Sequence, residues 1–446
     1  MSHVPRRLGS ALLSLLVVLP LTLTGAAVRH HSHAPVVINV AGCWPDPYQG
    51  GQFVKIAESY NKVQSGIAVH ATYGATVQQI LTAETGGKPP DIYFDCGNAE
   101  VGTWATNGDI YDLDSFIQKN HFDLNRLTTS ARKLITFDGH VWAMPYLTDC
   151  YMMLYNKNLF RKAGLDPNKP PRTTEQVQAL WKRLTLRDAS GKITSLAMLP
   201  TYGGPDFVGS YLPVYINMFG GQLASSDGKK ITANCPQCVQ ALTWEANYYK
   251  TVGVSNVDHF GAYNNPNVGS PQNLFLNNKI AMYISGEWNP QFIKHYGDPK
   301  HFSYGVVPLP VPAARGNVNV AEAGGNMGFI MRKARHPDEA FKYLMWIQNV
   351  DPTVRFANVL NNVPQIKAAL TSNALDPNPY YRTFVHQAGT AQIQIFPNLP
   401  IAAQYAAALA TTEDKVIHGK MTPKQGLDKL TSDMQSLLNR QSNGGL

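Results

Sequence analysis

Val36-Val37-Ile38-Asn39-Val40-Ala41 opens the stretch that decides the fold. It is rich in β-branched residues and free of breakers, so it reads as a buried strand. Within 52–63, Phe53, Ile56, Ala57 and Tyr60 recur at helical spacing, and Gly66 suits the stop. Residues 67–73 alternate as a strand does. Thr76 to Glu84 is helical again, stopped by Gly86, Gly87 and the Pro89-Pro90 pair. Asp91-Ile92-Tyr93-Phe94 is a short buried strand. This strand–helix alternation predicts an α/β protein with a parallel sheet and right-handed crossovers. Ligands of such sheets sit beyond the carboxyl ends of the strands. Trp44, Asp46, Asp95 and Asn98 stand at those ends.

The pattern resumes past Pro145. Tyr151 to Tyr155 reads as an apolar strand. Thr173 and Gln176 form a capping box before a helix carrying Val177, Leu180, Trp181 and Leu184. Ile280 to Ser285 is a strand and Glu339 to Ile347 a helix. Thr422, Pro423 and Gln425 start a last helix, with Leu427, Leu430, Met434 and Leu437 on one face. No internal repeat appears.

A chain of 446 residues exceeds one ordinary hydrophobic core, so two lobes are expected. Its apolar content of 44% and charged content of 15% are those of a globular protein. The net charge of +8 comes from scattered Lys and Arg and accompanies no nucleic-acid motif, so it reads as a solvated basic surface. At the N-terminus, Arg6 and Arg7 precede an apolar run from Leu8 to about Leu23, then Thr24, Gly25, Ala26 and Ala27. That order is a secretory signal, with cleavage expected near Ala27; the alternative is an uncleaved anchor helix. Val40-Ala41-Gly42-Cys43 imitates a lipid-attachment site, but the polar Arg29-His30-His31-Ser32-His33 separates it from the apolar run, so a lipid anchor is rejected.

Export permits disulfides. Cys43 and Cys96 each follow a strand, and their ends can be bridged if those strands are neighbours. Cys235-Pro236-Gln237-Cys238 has the spacing of a redox or zinc motif. It has no second such pair and no obvious strand-to-helix context, so a local structural disulfide is the preferred reading.

No G-x-S-x-G elbow, H-E-x-x-H pair or phosphate-binding loop occurs. Asp112 and Asp114 read as loop carboxylates, since a glycosidase needs two carboxyls held across a cleft. The vicinal Tyr380-Tyr381, an iron-binding pattern, reads as packing. What the sequence offers instead is aromatics beside polar groups: Trp44-Pro45-Asp46, Pro145-Tyr146-Leu147-Thr148-Asp149 and Ser285-Gly286-Glu287-Trp288-Asn289. A sugar presents apolar C–H faces and a rim of hydroxyls, which such pairs match.

Six ordered segments carry a resemblance: 137–146 with Gly139, Ala143 and Pro145; 151–160 ending Tyr155-Asn156-Lys157-Asn158-Leu159-Phe160; 275–288 with Ala281-Met282 and Gly286-Glu287-Trp288; Tyr304 to Pro310; Gly324 to Gly328; and Phe396 to Pro400. Together they resemble the extracellular solute-binding proteins of carbohydrate-uptake ABC transporters, family 1, the maltose-binding-protein-like group. The resemblance implies a two-lobed periplasmic-binding-protein-like (type II) fold with a hinge and an inter-lobe ligand cleft. It implies lobe one at 36–147 plus 324–352 and lobe two at 150–322 plus 353–440, after a 1–27 signal and a 28–35 His-rich spacer, with a flexible tail at 441–446.

By the same resemblance Asp149 would bond sugar hydroxyls and Trp288 would stack on a ring. Asp95, Asn98 and the Trp44–Asp46 loop would add contacts from the first lobe. Tyr146, Phe207, Gly325, Asn326 and Tyr405 complete the expected site. Glu287 departs from the family pattern and is read as a ligand residue or a bridge to Lys294. The implied function is a non-enzymatic, monomeric sugar or oligosaccharide receptor that delivers its ligand to permease subunits in the membrane. No cofactor or metal is expected. The alternatives are a glycerol phosphate or glycerophosphodiester receptor of the same fold, an exported glycan hydrolase, and a surface adhesin.

Overall fold

The structure is a computed structural model, and it describes residues 34–45, 47–97, 100–200, 211–263, 269–298 and 300–443. The signal, spacer residues 28–33, Asp46, Asn98 and Phe207 lie outside these.

Two five-stranded sheets carry two separate hydrophobic cores. In the first, Val36–Gly42 is the hub, parallel to Ile67–Tyr73 on one side and to Ile92–Asp95 on the other. This is the parallel trio that the opening stretch predicts. Two later strands extend it antiparallel: Gly325–Ile330 beside Ile92–Asp95, then Met144–Thr148. Phe53, Phe94, Tyr146, Phe329 and Phe341 fill the core beneath. In the second sheet Ile280–Ser285 lies between Met152–Asn156, antiparallel, and Ile193–Met198, parallel. Tyr304–Val307 and Leu186–Arg187 are its edges. Trp181, Leu196, Tyr248 and Met282 are in its core.

The helix Val350–Leu360 bears on the lobe boundary expected at 352/353. Its Val354, Phe356, Ala357 and Leu360 all pack in the first core, although most of the helix falls in the segment assigned to lobe two.

Three passages of chain meet where the sheets join. Thr148 pairs with Val363 through two backbone bonds of 2.9 Å, the Asp149 N–H reaches the Gly324 carbonyl at 3.0 Å, and the Tyr151 N–H reaches Glu322 at 3.0 Å. A two-stranded ladder of Val320–Glu322 with Gln392–Gln394 flanks them. A segment of four residues is thus bonded to both of the other crossings. Because backbone groups buried here must be paired, the junction is fixed in register while the bodies on either side keep their own cores.

Candidate ligand site at the crossover

The carboxyl ends of Val36–Gly42 and Ile92–Asp95 are adjacent, since Gly42 pairs with Phe94. The chain continues from them into Cys43 and Cys96, which are joined as a disulfide with Cα atoms 5.9 Å apart. Trp44 packs its ring 4.8 Å from Phe53 and 5.6 Å from Tyr146. Asp95 is buried; its carboxylate accepts from the Gly97 N–H at 3.0 Å and from the Tyr93 hydroxyl at 3.2 Å, and it is hydrogen-bonded to the Glu100 carboxyl. Burial raises its pKa, and those bonds oppose the rise.

On the other side, Ser285 at the end of Ile280–Ser285 pairs with Met152, so the Gly286–Trp288 turn comes up against the crossover. Here Asp149 and Glu287 converge on Asn362, whose Nδ2 donates to Asp149 Oδ1 at 2.8 Å and to Glu287 Oε1 at 2.9 Å. Glu287 Oε2 accepts from the Cys150 N–H at 2.8 Å, and the Glu287 carbonyl accepts from Asn361 Nδ2 at 2.9 Å. Burial, and then the Asp149 charge, push the Glu287 carboxyl far above its usual range. Both carboxyls are buried, Glu287 completely, and the shared Asn362 amide holds them side by side.

Trp288 sits beside them, its ring 5.5 Å from Tyr151 and edge-on to it. It is the residue before the helix Asn289–Tyr296. A Cβ on Gly286 would collide with the Trp288 ring, so only glycine lets the indole fold back over this turn. Gly325 and Asn326 pair with Thr148 and Leu147, and both are buried in the first sheet next to Asp95's strand.

The structure thus gathers Trp44 with Tyr146 and Asp149 with Glu287 and Trp288, and it lines Asp95, Asn326 and Leu147 along adjacent strands of the first sheet. Three expectations need correction. Tyr405 is fully buried, its hydroxyl donating to the Leu223 carbonyl at 2.8 Å and its ring on Phe396 at 5.7 Å, so it is occupied as a core strut. Tyr146 is likewise enclosed, wedged among Phe94, Trp44 and Phe356. Glu287 forms no bridge to Lys294, which points to solvent from the following helix while Glu287 is sealed under Asn362. The Tyr380 and Tyr381 hydroxyls donate to the Tyr304 and Asn362 carbonyls, as the packing reading expects.

Sequence reasoning passed over Asn361 and Asn362. Asn361 ends its helix at φ 59°, a left-handed position that asparagine tolerates. The signal was available: two amides interrupt the apolar Val359-Leu360 and Val363-Pro364.

Residues 44–352 match the profile of the family described as bacterial extracellular solute-binding protein. An uncharacterised ABC transporter extracellular-binding protein of Pyrococcus horikoshii is 22% identical over 399 residues, covering 83% of this chain and 80% of that one. The maltodextrin-binding protein of Bacillus subtilis is 24% identical over 321 residues, covering 71% and 70%. Among solved structures, CpMnBP1 with mannotriose bound superposes with a TM-score of 0.78 at 25% identity, over 89% of this chain and 99% of that one. The fold is the two-lobed α/β fold of the binding proteins.

Proposed function

The chain belongs to the bacterial extracellular solute-binding proteins, and from that membership we propose that it is the binding component of an ABC importer for a neutral sugar or oligosaccharide. Its place is therefore outside the cytoplasm. The observation that carries the ligand class is the Asp149–Glu287–Trp288 arrangement. The Asp149 carboxyl bonds sugar hydroxyls and an indole beside it covers a C–H face. A phosphate would meet the Asp149 charge at the same point, which disfavours the glycerol phosphate reading.

In this reading the protein is not an enzyme. It closes its lobes over the ligand, as a monomer, and the permease subunits recognise the closed form. Trp44, Asp95 and Asn326 face the ligand from the first lobe; Asp149 and Trp288 face it from the crossover and the second. The packing of Val354, Phe356 and Leu360 supports carrying lobe one through to about residue 360. Export rests on the Arg6-Arg7 and Leu8–Leu23 signal, without a lipid on Cys43.

The test is a thermal-shift screen of the mature chain over manno- and malto-oligosaccharides, monosaccharides and glycerol 3-phosphate, with calorimetry on the hits. A ligand that binds only the folded state raises Tm through mass action. A shift with glycerol 3-phosphate alone would replace the sugar reading, and turnover of an oligosaccharide would replace the receptor reading.

A further inference from the structure

The Cys235–Cys238 pair is a disulfide with Cα atoms 5.0 Å apart, at the start of the 17-residue helix Pro236–Val252. The sequence shows no redox context, but the structure supplies one. Cys235 is the N-cap residue and half-buried at the surface, between the exposed Asn234 and Pro236. Cys238 is in the first helical turn and fully buried.

The two sulfurs have opposite hydrogen-bonding surroundings. Cys235 Sγ accepts from the Cys238 backbone N–H at 3.1 Å, and it faces the positive end of the helix dipole. Cys238 Sγ instead lies 3.6 Å from the carbonyl oxygens of Gln222 and of Thr232. Donors and a helix N-terminus stabilise a thiolate; carbonyl acceptors stabilise a protonated thiol. On reduction the two positions therefore differ in kind, with the anion on the sulfur of half-buried Cys235 and the proton on that of enclosed Cys238. The bond also closes a very short loop, so it contributes little of the loop-closure stabilisation expected of Cys43–Cys96, which spans 53 residues.

We propose that Cys235–Cys238 is a thiol–disulfide exchange site for an external thiol, with Cys235 as the reacting sulfur. The external thiolate attacks Cys235 Sγ and forms a mixed disulfide. The Sγ–Sγ bond breaks, and Cys238 leaves as a thiolate that takes a proton from water. A second external thiolate then attacks the external sulfur of the mixed disulfide and releases Cys235 as the thiolate. The net change is two electrons: the protein pair is reduced and two external thiols are joined as a disulfide. In reverse, the Cys235 thiolate attacks an external disulfide and Cys238 resolves it.

The folded full chain is equilibrated in glutathione redox buffers, quenched with iodoacetamide, and each disulfide is read by peptide mass. Cys235–Cys238 is expected to open and close with the buffer while Cys43–Cys96 stays closed. Cys238→Ser protein is expected to carry glutathione on Cys235, at a rate about tenfold or more above that on Cys238 in Cys235→Ser protein. The alkylation rate of Cys235 in Cys238→Ser should have its pH midpoint below the ordinary thiol value of about 8.5. A Cys235–Cys238 bond that stays closed until the fold melts overturns the proposal. So does equal reactivity of the two single thiols. Should either variant fail to fold, the wild-type titration decides alone.

Discussion

Asp149 and Glu287, two carboxyls 138 positions apart in sequence, share the single side-chain amide of Asn362 at 2.8 and 2.9 Å. The first lies on the crossover out of the first sheet, the second on the turn after Ile280–Ser285, and the amide follows the helix Val350–Leu360. One buried contact thus ties three distant passages where the two sheets join. Neither carboxyl could be buried as an anion without such donors. Burial and the Asp149 charge still raise the Glu287 pKa, and the bonds from Asn362 and the Cys150 N–H oppose the rise while they fix the carboxyls in place.

Removing the amide is expected to harm both. Asn362→Leu removes the donor that the Asp149 and Glu287 carboxyls share, at a cost of about 1–3 kcal/mol per bond. Urea unfolding should show the loss, and sugar affinity should fall with it. Glu287→Gln keeps an acceptor for the Cys150 N–H but turns its amide nitrogen toward the Asn362 Nδ2 donor, so one bond is lost, at about 1–3 kcal/mol. Glu287→Leu, which loses both acceptors, should cost more by urea unfolding; equal losses would mean that the Asn362 bond contributes nothing.

The indole beside this pair separates ligand contact from packing. Trp288→Ala should weaken sugar binding by about 1–3 kcal/mol if stacking contributes as aromatic contacts usually do. Because the ring also packs on Tyr151, some stability will be lost as well. Gly286→Ala is the sharper variant. It leaves Trp288 in the chain but pushes its ring off the turn. Tryptophan fluorescence should change and sugar affinity should drop by a similar amount. Unchanged affinity by calorimetry in both variants would remove Trp288 from the site.

The parts of the fold that were legible in the sequence were those governed by local chemistry. Thr422 and Gln425 exchange reciprocal backbone bonds of 3.2 and 3.1 Å and start the last helix as read. Thr173 also caps its helix, but Gln176 turns its carbonyl to the Arg172 N–H at 2.7 Å instead of closing the box. The first helix begins at Pro47, five residues before the expected start. Gly50 and Gly51 are poor helix formers, yet Gly50 lies directly against the Tyr73 ring, and that tertiary contact outweighs the cost of glycine. The antiparallel entry of Gly325–Ile330 into the first sheet is a long-range pairing that no local pattern encodes. Asp149 and Trp288 are named through the family resemblance, and the structure brings both to the crossover, Asp149 through Asn362 and Trp288 beside Tyr151. Tyr405 misled, because a buried tyrosine spent on a carbonyl has the same local sequence as one facing a ligand.

The two disulfides should contribute unequally. Replacing Cys43 and Cys96 together by Ala frees a loop of some fifty residues, for which chain-entropy reasoning gives about 4 kcal/mol. Replacing Cys235 and Cys238 together should cost clearly less. Denaturant midpoints of the two double variants check the order, and a larger loss at the short loop would overturn it.

Glu322 makes the stability of the junction depend on pH. It is fully buried in the Val320–Glu322 ladder, accepts from Asn217 Nδ2 at 3.2 Å, and burial pushes its pKa up to about 8. An unfolded Glu releases its proton near pH 4.3. Between the two values the folded chain holds a proton that the unfolded chain has lost. Stability from this group is therefore full below about pH 4, falls as pH rises, and levels off above about pH 8, at about 1.4 kcal/mol per pH unit in between. Glu322→Gln keeps an acceptor for Asn217 and has no proton to lose. Urea unfolding at pH 5 and pH 8 should show the variant close to wild type at the lower value and more stable than wild type at the higher. Parallel pH profiles for the two proteins would show that Glu322 titrates as an ordinary carboxyl, with water reaching the ladder.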